Sequence, residues 1–253
     1  MSVLLTSLYI ALLIQLFFFI PAYLFKTDKV TDLSYGLTFI VLTLLLFSNS
    51  SYSFSNLILL LMVLLWGFRL ISFLFVRIYK MKRDKRFDGI RENLFKFGGF
   101  WLIQGISVWI IMIPIIFYYS LPNKNYFIAG LFVWLIGFLF ETIADYQKSK
   151  FKKSLKNRNK WIDIGVWKYS RHPNYFGEIL CWIGIFIFVL PGLTYEQRLI
   201  SMISPFFISS LLLFFSGIPI LERNADKKWG KNKKYKLYKK KTSILIPWFK
   251  LSK

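Results

Sequence analysis

The chain has 253 residues, 56% hydrophobic and 20% aromatic, with 34 Lys+Arg against 12 Asp+Glu and a formal net charge of +22. Ordinary soluble domains are roughly 45–50% apolar, so a soluble fold is excluded. A single cysteine excludes a disulfide framework within the chain, and with a single histidine it excludes the usual tetrahedral zinc site.

Seven apolar runs, at about 3–25, 35–54, 56–78, 100–119, 126–146, 175–193 and 199–221, are each near the roughly 20 residues that cross about 30 Å of hydrocarbon. The expected fold class is therefore all-α: a polytopic membrane protein of seven transmembrane helices, forming one integral membrane domain over 1–253. The first run lacks a charged n-region and a small-residue cleavage site, so it reads as an uncleaved helix with its N-terminus outside. Ser48 to Ser55 dilute the end of the second run with hydroxyls and an amide. In the third, helical spacing puts Trp66, Arg69 and Phe73 on one face. In the fifth, Glu141 and Asp145 are four apart, and Lys148 and Lys152 continue that stripe. The sixth opens from Tyr169-Ser170-Arg171-His172-Pro173-Asn174-Tyr175-Phe176-Gly177-Glu178, where polar groups crowd at the edge of an apolar run. The seventh ends in Glu222-Arg223, followed by Asp226.

Thirty of the thirty-four basic residues fall in 26–34, 80–99, 147–174 and after 222, all on one side of a seven-span arrangement. The opposite connections hold Lys124 and Arg198, while Arg69 and Arg77 lie in the third span. The positive-inside rule then places the C-terminus in the cytoplasm. Much of the net charge is thus topology and attraction to anionic headgroups, not nucleic-acid binding. The chain has no GxGxxG after a strand, no Walker A loop and no HExxH, and His172 lies near no nucleophile elbow. No metal site is expected.

Charged groups near the bilayer centre cost roughly 2.5–3.5 kcal/mol on insertion scales. Glu141, Asp145, Asn174, Glu178, Glu222 and Arg223 fall toward the cytoplasmic ends, with Arg69 deeper. Two readings account for them. They pair to register the helices, Arg69 with Glu178 or Glu141; or they line a cavity open to the cytoplasm that takes a charged cofactor and an apolar substrate.

The RHPNYFGE run, Asp163-Ile164-Gly165-Val166-Trp167, the Glu141–Lys148 helix and the C-terminal Thr242-Ser243-Ile244-Leu245-Ile246-Pro247-Trp248 resemble the steroid 5-alpha-reductase superfamily. More narrowly they resemble its bacterial DUF1295 branch, as do Asp32–Gly36 and Trp66–Leu70. The resemblance covers about 31–250, after a first span in 1–30. It implies NADPH in a cytoplasm-facing cavity and hydride transfer to a carbon–carbon double bond of a sterol- or terpenoid-like lipid. On that resemblance Asp145, Asn174, Tyr175 and Arg223 hold the cofactor, with Arg69 and His172 in the same set. Lys152 is a phosphate contact, and Arg171 joins it on electrostatic grounds. Glu178 organises the catalytic site. Trp66 stands where the animal enzymes have a substrate-binding tyrosine; Asp32 is the candidate partner carboxylate and Tyr35 the candidate proton donor. The branch implies a bacterial cytoplasmic membrane, and the partners implied are membrane lipids and a lipid-soluble substrate. Two alternatives stay open: an S-adenosylmethionine-dependent methyltransferase resembling the isoprenylcysteine carboxyl methyltransferases, and a non-enzymatic lipid-binding scaffold.

Overall fold

The computed structural model describes residues 2–80, 87–122 and 125–248, the side chains of 76–80 apart. Lys124, the Arg77 side chain and the basic residues within 81–86 lie outside the described residues. The described chain is helical, with no strand and one isolated parallel bridge between Ser170 and Ser243. In chain order the helices are α1 (Val3–Leu24), α2 (Thr31–Ser48), α3 (Phe54–Lys80), α4 (Leu94–Tyr119), α5 (Ile128–Lys153), α6 (Pro173–Val189), α7 (Tyr195–Ser201), α8 (Ile203–Ser210), α9 (Ile218–Trp229) and α10 (Lys233–Lys241). Among the described residues, seven segments are long and apolar enough to cross a membrane, the seventh being the composite Tyr195–Trp229. The protein is an integral membrane protein.

The ends of the helices follow local chemistry. Ser2 and Asn93 cap α1 and α4 through their side-chain oxygens, and Pro173 opens α6, where a missing N–H costs nothing. Helix α2 begins at Thr31, four residues earlier than hydropathy suggests, and stops at Ser48, where the hydroxyl-rich stretch begins. The seventh apolar run, expected as one continuous helix, is divided into α7, α8, a π-turn over Leu211–Phe215, and α9. Hydropathy reports only that such a run is apolar, not how its backbone hydrogen bonds are spaced.

The chain forms two compact units, Met1–Ile128 with Ile185–Ser204, and Ala129–Gly184 with Pro205–Lys253. In the first, α1, α2 and α4 pack together and α2 packs on α3. Its interior holds a polar knot. Gln104 Nε2 lies 2.9–3.0 Å from Gln15 Oε1, the Thr31 carbonyl and Ser34 Oγ, while Gln15 Nε2 donates to Thr38 Oγ1 at 2.7 Å. Side-chain amides buried among apolar helices need such partners and act as interhelical glue. Next to it, Arg91 donates to Asp28 at 2.7 Å in a buried ion pair, so this loop arginine is a structural residue rather than a headgroup-facing charge.

In the second unit a glycine seam joins α5 to α6. A Cβ on Gly177 would stand 2.5 Å from both Glu141 N and Gly137 O, and one on Gly184 would stand 2.5 Å from Trp134 N. Only glycine lets the two backbones approach so closely. The seam is what sets the start of α6, and with it the polar signature, against the Glu141 turn of α5.

Candidate functional site

The second unit holds a cavity of about 340 Å³ at its basic end, between the last turn of α5, the 160–172 segment, α9 and α10. Arg171 and His172 of the signature line it, as does Trp167 just before them. Gln147 caps the turn that leads there, accepting from Val166 N at 3.0 Å, and its side-chain amide packs on Gly165, which adopts φ +57°. A side chain at that position would be strained and would collide with Gln147. Trp167 is buried, donates through Nε1 to the Ala144 carbonyl at 3.0 Å, and carries Lys148 Nζ 4.8 Å over its ring.

One wall is aromatic. The Trp161 ring lies 5.3 Å from Tyr235 and 6.2 Å from Trp229, whose Nε1 donates to the Asn159 carbonyl. Burial pushes the phenol of Tyr235 above its ordinary range, and that of Tyr238 as well, so both stay neutral. The charges around this wall are mostly of one sign: Lys148, Lys152, Lys160, Lys228 and Arg171 line the cavity, with Glu222 the one acid among the described lining residues.

Glu222 is fully engaged. Its Oε1 accepts from Arg171 Nε at 3.1 Å and lies 2.9 Å from His172 Nε2, while Oε2 is 3.1 Å from Lys239 Nζ. A carboxylate oxygen can only accept, so His172 carries its proton on Nε2 and presents a bare lone pair at Nδ1. That Nδ1 is buried with no hydrogen-bond partner among the described residues; so are Trp161 Nε1, a donor, and Asn174 Oδ1, an acceptor. Buried polar atoms left so are expected to meet a ligand or water.

Burial pulls the His172 pKa below 6.5, and the hydrogen bond and charge of Glu222 offset this only in part. The unfolded chain therefore takes up a proton near pH 6.5 before the folded chain does. His172 thus favours the folded state above that pH, and the advantage is lost as pH falls through and below 6.5. Because the chain has one histidine, nitrogen-15 imidazole spectra should show a single ring with an Nε2–H tautomer and a midpoint below 6.5. A midpoint at or above 6.5 would contradict the buried, neutral ring. Lys239 moves the other way: burial opposes its charge, but hydrogen bonds to Asp226 and Glu222 outweigh this and raise its pKa.

The C-terminal segment is strapped onto the signature. Arg171 N donates to the Ser243 carbonyl at 2.8 Å, Ser170 Oγ to Leu245 O at 2.6 Å, and Tyr238 Oη to Trp167 O at 2.8 Å. Arg171 Nη1 reaches the carbonyls of Lys239 and Thr242. Much of the arginine fork is therefore committed to the fold rather than to a phosphate.

The structure brings Lys152, Arg171 and His172 together around this cavity. Tyr175 stacks on His172, with ring planes 10° apart, and packs over Gly217 just after the π-turn. Asn174 shares the first turn of α6, Glu178 is half-buried one turn on, and Asp145 is buried on α5 with Glu141. Arg223 is exposed on α9. Asp32, Tyr35, Trp66 and Arg69 belong to the first unit, where Phe39 stands edge-on to both Tyr35 (5.2 Å) and Trp66 (5.1 Å). Lys160, Trp161, Lys228 and Trp229 also line the cavity, and none of them lies in an apolar run or among the sequence-predicted site residues. Tryptophans placed beside lysines outside the apolar runs were the available signal.

Compared with known proteins, the chain matches over residues 17–242 the family described as Protein of unknown function (DUF1295). No curated protein and no solved structure matches it.

Proposed function

The chain belongs to the DUF1295 family, and from that premise we propose that it is an NADPH-dependent reductase of a carbon–carbon double bond in a lipid-soluble, sterol- or terpenoid-like substrate. The carrying observation is the cavity of the second unit: five cations against one acid, behind a wall of tryptophan and tyrosine. A nicotinamide dinucleotide phosphate brings several negative charges and two flat rings, which these groups suit. The resemblance of the Arg171–Glu178 signature to the steroid 5-alpha-reductase superfamily supports the same cofactor.

The residues present fit that group. Lys148, Lys152, Lys160 and Lys228 would hold its phosphates, the Trp161–Tyr235 wall would stack its base, and His172 Nδ1 and Asn174 Oδ1 would accept from its amide or hydroxyl groups. When bound, NADPH supplies a hydride to the electrophilic carbon of the substrate. The chain's own part is to hold the substrate carbonyl and return a proton to the neighbouring carbon. The resemblance, not the cavity, assigns the proton source to Tyr35, with Asp32 three residues earlier on the same face of α2. The resemblance likewise assigns Trp66 to substrate binding and Glu178 to organising the site. By the distribution of basic residues this end faces the cytoplasm, and we place the protein in a bacterial cytoplasmic membrane.

The methyltransferase reading predicts another charge pattern. S-adenosylmethionine is cationic at sulfur and carries no phosphate, so it would favour acidic neighbours over a field of lysines. Heat protection of the detergent-purified protein separates the two. NADPH should raise the unfolding temperature, and S-adenosylhomocysteine should not. Lys152→Gln and Lys160→Gln should each weaken NADPH about tenfold, the loss of one charge-assisted contact of roughly 1.4 kcal/mol. No protection at millimolar NADPH, or protection by S-adenosylhomocysteine alone, would overturn the reductase reading.

A further inference from the structure

We infer that α10 and the C-terminal strap form a site for the headgroup of an anionic phospholipid. Residues 242–248 continue from an extended Thr242 and alternate along their length. Ile244, Ile246 and Trp248 are exposed at 45%, 57% and 66%, whereas Ser243, Leu245 and Pro247 are half-buried. That period of two is the signature of a strand-like segment with one face on the protein and one facing out. Hydrogen bonds to the signature hold the inner side, leaving an apolar edge tipped by an indole.

Beside this edge lies a groove of about 490 Å³, bordered by Lys168, Lys234, Lys241, Tyr169 and Trp248. The three lysines are exposed, and Asp163 is the one acid among the described lining residues. Leucine 237, on the same groove, is 53% exposed. An apolar edge with a tryptophan, fringed by lysines, is the composition that settles at the boundary of headgroups and acyl chains. Inorganic phosphate would meet only the lysines, and a zwitterionic lipid brings them a phosphate whose charge its own ammonium cancels. An anionic phospholipid satisfies both the lysines and the apolar edge, and charge complementarity selects it.

The site is coupled to the cavity by shared residues. Tyr238 borders both hollows, and Arg171, which lines the cavity, grips the Lys239 and Thr242 carbonyls where α10 passes into the strap. Lipid that secures the strap therefore also steadies one wall of the cavity. The inference does not depend on what the cavity binds.

The test uses the full-length protein in a neutral detergent, with thermal unfolding followed after adding short-chain phosphatidylglycerol, phosphatidylcholine or inorganic phosphate at equal concentration. Phosphatidylglycerol should raise the midpoint by about 5 °C, and the other two by much less. The double variant K234Q/K241Q should unfold at the wild-type temperature without lipid and lose most of the shift. As a second measurement, brominated-chain phosphatidylglycerol should quench a fluorescence component that Trp248→Ala removes. Equal shifts from both lipids, the same shift from phosphate alone, no shift from phosphatidylglycerol, an undiminished shift in K234Q/K241Q, or quenching unaltered by Trp248→Ala would each overturn the proposal.

Discussion

Glu222→Ala is expected to lower the stability of the protein by about 2–4 kcal/mol and to free the C-terminal strap. One carboxylate, only 16% exposed at its side chain, serves Arg171, His172 and Lys239 at 2.9–3.1 Å. Truncating one member of a buried ion pair costs about 3–5 kcal/mol because the partner charge is left uncompensated. Here solvent reaches Lys239 and part of Arg171, so the expected cost is about 1 kcal/mol below that range. Without Glu222 the His172 ring has no acceptor to fix its tautomer, and the Arg171 fork loses one of its anchors. Two readouts distinguish this from a general loss of fold. Limited trypsin digestion should cleave at Lys239–Lys241 faster than in the wild type, and any cavity ligand should bind at least tenfold more weakly, roughly 1.4 kcal/mol. Glu222→Gln keeps the shape and an acceptor, so its effect should be about half as large. A wild-type melting temperature with an equally protected strap would show that the cluster is incidental.

Gly177→Ala is expected to be as damaging although it adds one methyl group. The new Cβ would stand 2.5 Å from the backbone of α5 at two points, Glu141 N and Gly137 O. Neither is the end of a flexible side chain, so the helices themselves must separate by close to an ångström. Overpacking of this kind costs about 1–3 kcal/mol, with the upper end expected where only backbone can move. Gly184→Ala meets Trp134 N in the same way and should behave alike. Gly99→Ala is the control: nothing lies within 4 Å of its added carbon. It should be neutral or stabilise by up to about 1 kcal/mol, since alanine favours a helix over glycine. Thermal unfolding of the three variants side by side checks the seam, and equal melting temperatures would remove it as an organising element. Because Gly177 lies one turn after Asn174, its substitution should also weaken binding in the cavity.

These two residues illustrate what was legible and what was not. The glycine of the RHPNYFGE run reads as part of a functional signature, yet its measurable job is to let α6 touch α5. A hint was present: Gly130 and Gly137 are seven apart, as are Gly177 and Gly184, the spacing of a helix–helix seam. Glu222 stood out as a carboxylate at the end of an apolar run. Its partners Arg171 and His172, 51 and 50 residues away, could not be read from local pattern. Arg171 reads as a phosphate contact on charge alone, whereas its hydrogen bonds show a guanidinium shared between a carboxylate and two carbonyls.

Hydropathy, with 30 basic residues gathered on alternate connections, was enough by itself to fix an all-helical membrane protein of seven spans. Those properties follow from the solvent, since lipid admits only long apolar helices and the inner leaflet retains lysine and arginine. Tertiary structure alone decided that the seventh span is broken by a π-turn, that the C-terminal segment is strapped to the signature, and that Lys160, Trp161 and Trp229 wall a cavity with His172. The π-turn is a local shift in backbone hydrogen-bond spacing that hydropathy does not report; the other two depend on groups distant in sequence meeting at hydrogen-bond or van der Waals range, a condition that periodicity and composition do not encode.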